Sequence, residues 1–405
     1  MRTLAGTAHT GRRGPVRLLT LTTLFPNSRR PRHGIFIANR LRHLCGTGRV
    51  EASVIAAVPW FPGAYHDDAG VPPAETLAGQ AIRHPRYLQL PGVGMRLQPD
   101  ALARALLRTL RDDARDGAAY DVVDAHYFYP DGVAAARVAR ELGLPLVISA
   151  RGSDINVIGG IGFARARMVA AAAQADALIA VSGALAARMG ELGMPAARTH
   201  VLRNGVDTDA FAPAPRGEAR ARVGVTTEGP VLLGVGNFVE AKGFDLLIRA
   251  AALLPGARLV LVGDGPRQGE LRALADAAAP GRVAFRANMP QSELRYAYAA
   301  ADVLGLPSLR EGWPNVVLEA MACGTPVIAA PVGGVPEIMG DGAPGRLVAE
   351  RTPEAWAAAV TALLASPPRL EAVRAYAMAF GWDDVVDRQC ALYEGVAARH
   401  AGARA

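Results

Sequence analysis

Short, continuously apolar runs alternate with helix-length stretches along almost the whole chain. Residues 16–25, 51–58, 120–126, 145–149 and 177–181 read as strands, and 34–44, 99–115, 132–142 and 164–175 between them as helices. Strands that are apolar on both faces and separated by helices belong in a parallel sheet covered on both sides. The alternation pauses near 204–230, where Pro, Gly and charge accumulate, and then restarts. Strands at 231–235, 258–262, 283–286, 303–307 and 326–329 then alternate with helices at 244–254, 267–278, 293–301 and 315–323. The expectation is an α/β chain of two doubly wound, Rossmann-like domains, with ligand in the cleft between them at the carboxyl ends of the strands. The boundaries fall at 1–205 and 206–382. Residues 1–15 form a loose tail, helices at 353–364 and 368–379 close the second domain, and a last helix from 383 crosses back to the first.

The length of 405 residues fits two domains at about 100–200 residues each. No apolar run reaches the roughly 18 residues of a membrane span. Cys45, Cys323 and Cys390 lie far apart with no CxxC spacing, which argues against a disulfide framework or a zinc site and for a reducing cytoplasm. The tail has arginines but no apolar core, so it does not read as a signal peptide.

Charge divides unevenly. Residues 1–205 hold 25 arginines against 15 acidic residues, whereas the remainder is slightly acidic. A basic first half suggests an acidic partner, whether a phosphorylated substrate, anionic lipid or nucleic acid. No finger, RRM or helix-turn-helix signature supports nucleic acid. Among 44 basic residues there is one lysine, Lys242. An ammonium is a compact point charge suited to phosphate, where a guanidinium is a planar fork.

Three stretches carry chemistry. In EGWPNVVLEAMACGTP a loop bearing Glu311 leads into a helix that starts near Pro314 and Asn315 and stops at Gly324. The free N–H groups at such a helix start attract anions. Glu311 precedes the helix, and Glu319 lies one turn inside among apolar neighbours, where a carboxylate needs a polar partner. Gly312 permits close backbone approach. In GVGNFVEAKG, Gly236, Asn237 and Lys242 sit in a strand-to-helix loop that is neither a Walker loop nor GxGxxG. VGDGP, ending at Pro266, is a plain turn or a ligand contact.

Together these residues resemble the retaining glycosyltransferases of family 4, which have the two-domain GT-B fold, over nearly the whole chain. The most specific part is E-x7-E, Glu311 and Glu319; the Gly236 to Lys242–Gly243 loop, VGDGP and NGVD at 204–207 support it. The resemblance implies that the second domain holds a nucleoside-diphosphate sugar. Lys242 would neutralise the leaving diphosphate. Glu311 and the backbone through Gly312, Trp313, Pro314, Asn315 and Val316 would hold sugar and phosphates, Glu319 the ribose, and residues 287–290, with Asn288, the base. Asn237 stands where the family often has Arg, which removes one cation and leaves donor binding to Lys242, the helix start or Arg151.

In the first domain, His126 ends a strand where the family places a His beside the donor sugar. RGSD at 151–154 resembles the family's HGSD element, with Arg151 replacing His and Asp154 retained. PRHGIF, with Arg32 and Gly34, fills the first strand-to-helix loop, where Gly34 would let donor or acceptor approach; these residues, with Arg151 and Asp154, form the expected acceptor side. PRHGIF and PWFP (59–62) look similar to bacterial cell-surface polysaccharide enzymes such as the teichuronic-acid glycosyltransferases.

The implied reaction is transfer of a hexose-type sugar to a hydroxyl of a glycan or lipid-linked acceptor with retention, by same-face attack and without cofactor or metal. The demand is for stabilisation of charge on the leaving phosphate. The DxD string at 207–209 could suggest a metal but falls in the linker. The helix around 100–115 alternates Leu102, Leu106 and Leu110 with arginines. It is either an ordinary amphipathic helix on the sheet or a peripheral contact with anionic lipid at the inner membrane face. The competing readings are another GT-B enzyme, such as a sugar-nucleotide epimerase or a phosphorylase, and a non-catalytic nucleotide-sugar-binding protein.

Overall fold

The computed structural model describes residues 14–61, 70–90, 94–115, 118–225 and 228–403. The expected tail up to residue 13 and Pro62 of PWFP lie outside them. Contacts divide the chain into two compact units. The first comprises 1–180, 188–202 and 386–405; the second comprises 181–187 and 203–385. The residues from Val386 onward thus belong to the first unit.

Among the described residues the first unit has ten strands: β1 (Val16–Thr22), β2 (Val50–Ala56), β3 (Val58–Trp60), β4 (Ala74–Leu77), β5 (Gln80–Arg83), β6 (Arg86–Leu88), β7 (Val122–His126), β8 (Leu146–Ser149), β9 (Ala177–Ala180) and β10 (Thr199–Val201). Eight form one sheet in the order β10-β9-β8-β7-β1-β2-β5-β4, and β3 pairs with β6 separately. β7, β8 and β9 are buried along their whole length, as expected of strands covered on both faces. The order reverses between β1 and β7, so the loops after these strands border the crevice of this sheet.

The sheet is not wholly parallel. β4 and β5 form an antiparallel hairpin at its edge. Ala78 and Gly79, at φ 49° and 80°, make the tight turn. Two positive φ values suit the right-handed twist of a two-residue hairpin, but Ala-Gly lacks the Asn or Asp that signals such a turn in sequence.

The second unit holds β11 (Val231–Val235), β12 (Arg258–Val262), β13 (Val283–Arg286), β14 (Val303–Leu306), β15 (Val327–Ala329) and β16 (Gly345–Leu347). All pairs are parallel, in the order β13-β12-β11-β14-β15-β16. This is the Rossmann order 3-2-1-4-5-6, with its switch point between β11 and β14. Phe238, Phe244, Leu247, Leu261 and Trp356 belong to the apolar core beneath it.

Two stretches gain detail from the structure. The stretch 204–230 contains a helix, Arg216–Arg222, whose Arg220 binds Asp302 at 3.0 Å. The helix Gly94–Arg115 buries Leu102, Leu106 and Leu110 while Arg104 and Arg108 face outward. Its leucine stripe belongs to the core of the first unit, as the first of the two alternatives expects, while Leu97 on the same helix is half-exposed. Among the described residues no helix is long and apolar enough to cross a membrane.

Candidate active site

In the second unit the chain leaves β11 at Val235 and turns through a short helix, Glu240–Lys242, to Gly243. Two hydrogen bonds from the VGDGP turn hold this loop: Gly236 N–H donates to Val262 O at 3.0 Å and Phe238 N–H to Asp264 O at 2.6 Å. Phe238 is buried edge-on against Phe244 and Phe285. Gly243 adopts φ 65°, and a Cβ there would lie 2.3 Å from Pro307 O. Glycine therefore lets this loop press on the end of β14, where Leu309 N–H donates to Ala241 O at 2.8 Å.

That contact brings Lys242 to Glu311. Lys242 Nζ donates to Glu311 Oε1 at 2.7 Å, and Ser308 Oγ donates to the same oxygen at 2.6 Å. Arg351 Nη1 donates to Pro307 O at 2.8 Å and so fixes the turn that carries Ser308. At Gly236 a Cβ would make only ordinary contact with the Lys242 stem, at 3.4 Å, and it is the φ of 151° that favours glycine.

Past Glu311 the chain runs through Gly312, whose carbonyl accepts from Gly334 N–H at 3.1 Å. Trp313 is buried against Phe380 at a centroid distance of 6.3 Å, and its indole N–H has no partner among the described residues. Pro314 is the extended cap of the helix Asn315–Ala322. Asn315 Oδ1 accepts from Asn204 Nδ2 at 3.1 Å, which ties NGVD to the start of that helix. Val316 and Glu319 are half-buried. Tyr298 Oη donates to Glu319 Oε2 at 2.7 Å, supplying the polar partner this carboxylate needs. Asn288 binds Asp264, beside a pocket of about 280 Å³ lined in part by residues 287–290. Asn237 is exposed. Asp207 Oδ1 accepts the N–H groups of Asp209 and Ala210, so the DxD string forms a turn.

In the first unit, His126 ends β7 fully buried. Arg151 Nη2 meets His126 Nδ1, and a guanidinium only donates, so the neutral ring carries its proton on Nε2. Nε2 lies 2.9 Å from Asp124 Oδ2 without hydrogen-bond alignment. Asp124 accepts from Tyr393 Oη at 2.9 Å and Thr20 Oγ1 at 3.3 Å. Gln389 donates to Tyr393 at 2.7 Å and receives Arg40, which also holds Leu202 O. Burial pushes the His126 pKa down against the opposing pull of Asp124. Burial lifts the Asp124 carboxyl, but His126, Tyr393 and Arg151 outweigh it and leave it below its ordinary value. Burial lowers Arg151 to about 10, which keeps it charged at neutral pH.

Asp154 is fully buried and its oxygens accept the N–H groups of Gly152 at 2.9 Å, Phe128 at 2.9 Å and Arg151 at 3.1 Å. It therefore holds the RGSD loop through its backbone. Gly34, at φ 65°, makes its close approach to the Leu24 carbonyl, where a Cβ would fall at 2.2 Å. Its small size thus shapes the loop itself, and Phe36 beyond it lies 5.6 Å from the Arg151 guanidinium. Arg32 is half-buried in that loop, where Ile35 N–H caps its carbonyl at 3.3 Å.

Lys242, Gly236 and Glu311 thus meet at the adjacent ends of β11 and β14, Glu319 and Asn315 lie on the helix that follows β14, and His126, Arg151 and Asp154 lie at the ends of β7 and β8. Sequence reasoning missed Ser308, Arg351, Tyr298 and Tyr393. Ser308 directly after a strand was the one available signal; the others come from distant segments.

Two Rossmann-like sheets, the second with a lysine and a carboxylate at its switch point, are the arrangement expected of the GT-B class. Residues 35–210 match the family model described as Glycosyltransferase Family 4, and residues 215–380 match Glycosyl transferases group 1. The D-inositol 3-phosphate glycosyltransferase 1 of Catenulispora acidiphila is 34% identical over 420 residues, covering 95% of this chain and 97% of that protein. The D-inositol 3-phosphate glycosyltransferase of Geodermatophilus obscurus is 35% identical over 375 residues, covering 86% and 82%. The chain belongs to glycosyltransferase family 4. In fold it is similar to the sucrose-phosphate synthase of Thermosynechococcus elongatus, at TM-score 0.79 and 22% identity over 95% of this chain and all of that one. It is likewise similar to Anabaena HepE in complex with UDP and glucose, at TM-score 0.73 and 21% identity over 94% of this chain and all of that one.

Proposed function

We propose that this glycosyltransferase moves a hexose from a nucleoside-diphosphate sugar to an acceptor hydroxyl with retention and without metal. The observation that carries this reading is the Lys242–Glu311 pair at the switch point of the second sheet. A diphosphate there would meet one ammonium and the start of the helix Asn315–Ala322, both suited to charge on a leaving phosphate. Glu311, held by Ser308, would bind sugar hydroxyls, Glu319 the ribose, and the pocket at 287–290 the base. The sugar would receive the acceptor on the face the phosphate leaves, with a phosphate oxygen taking the hydroxyl proton. His126, enclosed by its own chain, would act by positioning Arg151.

The acceptor proposed is a glycan or lipid-linked intermediate of cell-surface polysaccharide synthesis, made in the cytoplasm. A phosphorylated polyol is a second reading. The full-length relatives named for D-inositol 3-phosphate favour it, and so does the arginine excess of the first half.

The test is calorimetric binding of UDP and GDP, with and without magnesium, to the wild type and Lys242→Ala. Metal-free binding of one nucleotide, lost in the variant, is expected. Failure of both to bind even with magnesium would refute the donor assignment. NMR of the glycosylated product reads the anomeric outcome, and inversion would refute retention.

A further inference from the structure

From Val122 to Gly132 the chain runs through β7 into the loop beyond it, and every residue is buried except Tyr127, which is half-buried. The chain turns this side chain outward by leaving the strand conformation: Tyr127 has φ 83° and ψ 126°. Among the described residues one other non-glycine has a positive φ, Ala78, and it lies in the hairpin turn of β4 and β5. A bulky residue at positive φ is strained, and strain of this kind collects at sites that use it. Two backbone hydrogen bonds enforce it here. Tyr127 N–H donates to Ser149 O and Gly132 N–H to Tyr127 O, both at 2.9 Å. A tyrosine needed for packing alone would continue the strand and be buried like Phe128 and Tyr129.

The side chain is fixed at its tip. Tyr127 Oη and Ser153 Oγ are hydrogen-bonded at 2.8 Å, and Ser153 is exposed. The ring therefore reaches from the end of β7, one of the two strands at which the order of the first sheet reverses, to the loop after β8. Burial, then Asp154 and Asp131, push the phenol up to about 12, so it is neutral at neutral pH. The pair offers an aromatic face and two uncharged hydroxyls. Such a surface suits a sugar ring, whose C–H face packs on aromatic carbons and whose hydroxyls exchange hydrogen bonds with Oη and Oγ. The pair itself carries no charge to hold a phosphate.

We infer that Tyr127, with Ser153, is a specificity-determining platform that stacks on a neutral pyranose ring of a substrate. This rests on the glycosyltransferase reading and adds to it a place for the ring of the acceptor or of the donor sugar.

The test follows the tyrosine ring NMR signals of the full chain, with Tyr127→Phe assigning residue 127. The chain is titrated with the methyl glycosides of glucose, galactose, mannose and N-acetylglucosamine, and separately with UDP-glucose and GDP-mannose against UDP and GDP. A saturable shift of the Tyr127 ring with at least one sugar is expected. A methyl glycoside that acts alone marks an acceptor ring, and a shift with a nucleotide sugar that its bare nucleotide lacks marks the donor ring. Tyr127→Gly removes the side chain at a φ that glycine accepts, so the loop keeps its fold. Affinity for the active sugar should fall about tenfold or more in that variant and stay within about fivefold in Tyr127→Phe, which keeps the aromatic face. No shift with any of these ligands, or equal affinity in Tyr127→Gly, would overturn the inference. UDP and GDP calorimetry on the same samples separates the two claims. Nucleotide binding with a silent Tyr127 sinks only the platform, and a methyl glycoside response without nucleotide binding sinks the donor assignment alone.

Discussion

Lys242 Nζ lies 2.7 Å from Glu311 Oε1, although 69 residues separate them in sequence. The two residues reach each other because their loops leave β11 and β14, the adjacent strands at which the order of the second sheet reverses. Under the proposed function the ammonium would be held before any phosphate arrives, and charge stabilisation would cost little reorganisation.

Lys242→Ala should lower turnover by about 10²–10³, the usual cost of one lost contact to developing charge. The fold should persist, since the lysine is partly exposed and Glu311 keeps Ser308. Steady-state kinetics with saturating donor, alongside a thermal melt, checks both halves of the statement.

Gly243→Ala tests how the lysine is placed. Its φ of 65° and the 2.3 Å approach to Pro307 O leave no room for a methyl group. The expected cost is about 1–3 kcal/mol of stability, with weaker nucleotide binding because the strain falls next to Lys242. Urea unfolding gives the first quantity and calorimetry the second. Unchanged binding would mean that Lys242 does not depend on this packing.

These two loops were legible in sequence because a unique lysine, a glycine and an E-x7-E spacing are local features. The strands β11 and β14 were equally plain, being apolar along their whole length. The hairpin of β4 and β5 was not, since its Ala78–Gly79 turn lacks the expected residue types. The partners of the site residues were hidden for another reason. Tyr393 reaches Asp124 across 269 positions and Tyr298 reaches Glu319 across 21, so only the folded chain reveals what each carboxylate binds. The leucines at 102, 106 and 110 show the converse: the periodicity was right, and only burial could tell core from lipid.

Asp131→Asn should remove part of the pH dependence of stability. Burial raises the Asp131 carboxyl to about 8, against the hydrogen bonds from Thr23 that pull it down. The folded protein therefore keeps a proton that the unfolded chain, near the ordinary carboxyl value of 3.8, gives up. Between these values the native state binds more protons, so this contribution to stability is lost as pH rises from about 4 to about 8 and is level above that. Each unit of the difference is worth about 1.4 kcal/mol. Asparagine is neutral throughout and offers Thr23 both an acceptor and a donor. Relative to wild type, the variant should gain stability as pH rises through that window. Urea unfolding midpoints across the window check this, and a constant difference would refute it.

Tyr298→Phe tests the Glu319 assignment without touching the carboxylate itself. Tyr298 is fully buried, and its hydroxyl donates to Glu319 Oε2 at 2.7 Å. Removing that hydroxyl leaves Glu319 short of a donor in a half-buried position, at a cost of about 1–3 kcal/mol in stability. If Glu319 binds the ribose, the loosened carboxylate should raise KM for the donor by about tenfold while kcat changes little, because the ribose is bound equally in ground and transition states. The companion measurement is the Glu319→Ala variant and the double variant. Acting only through Glu319, Tyr298→Phe should add nothing to donor KM once Glu319 is gone. Full additivity would give Tyr298 a role of its own, and a fall in kcat with KM unchanged would move Glu319 from the ribose to the reacting sugar.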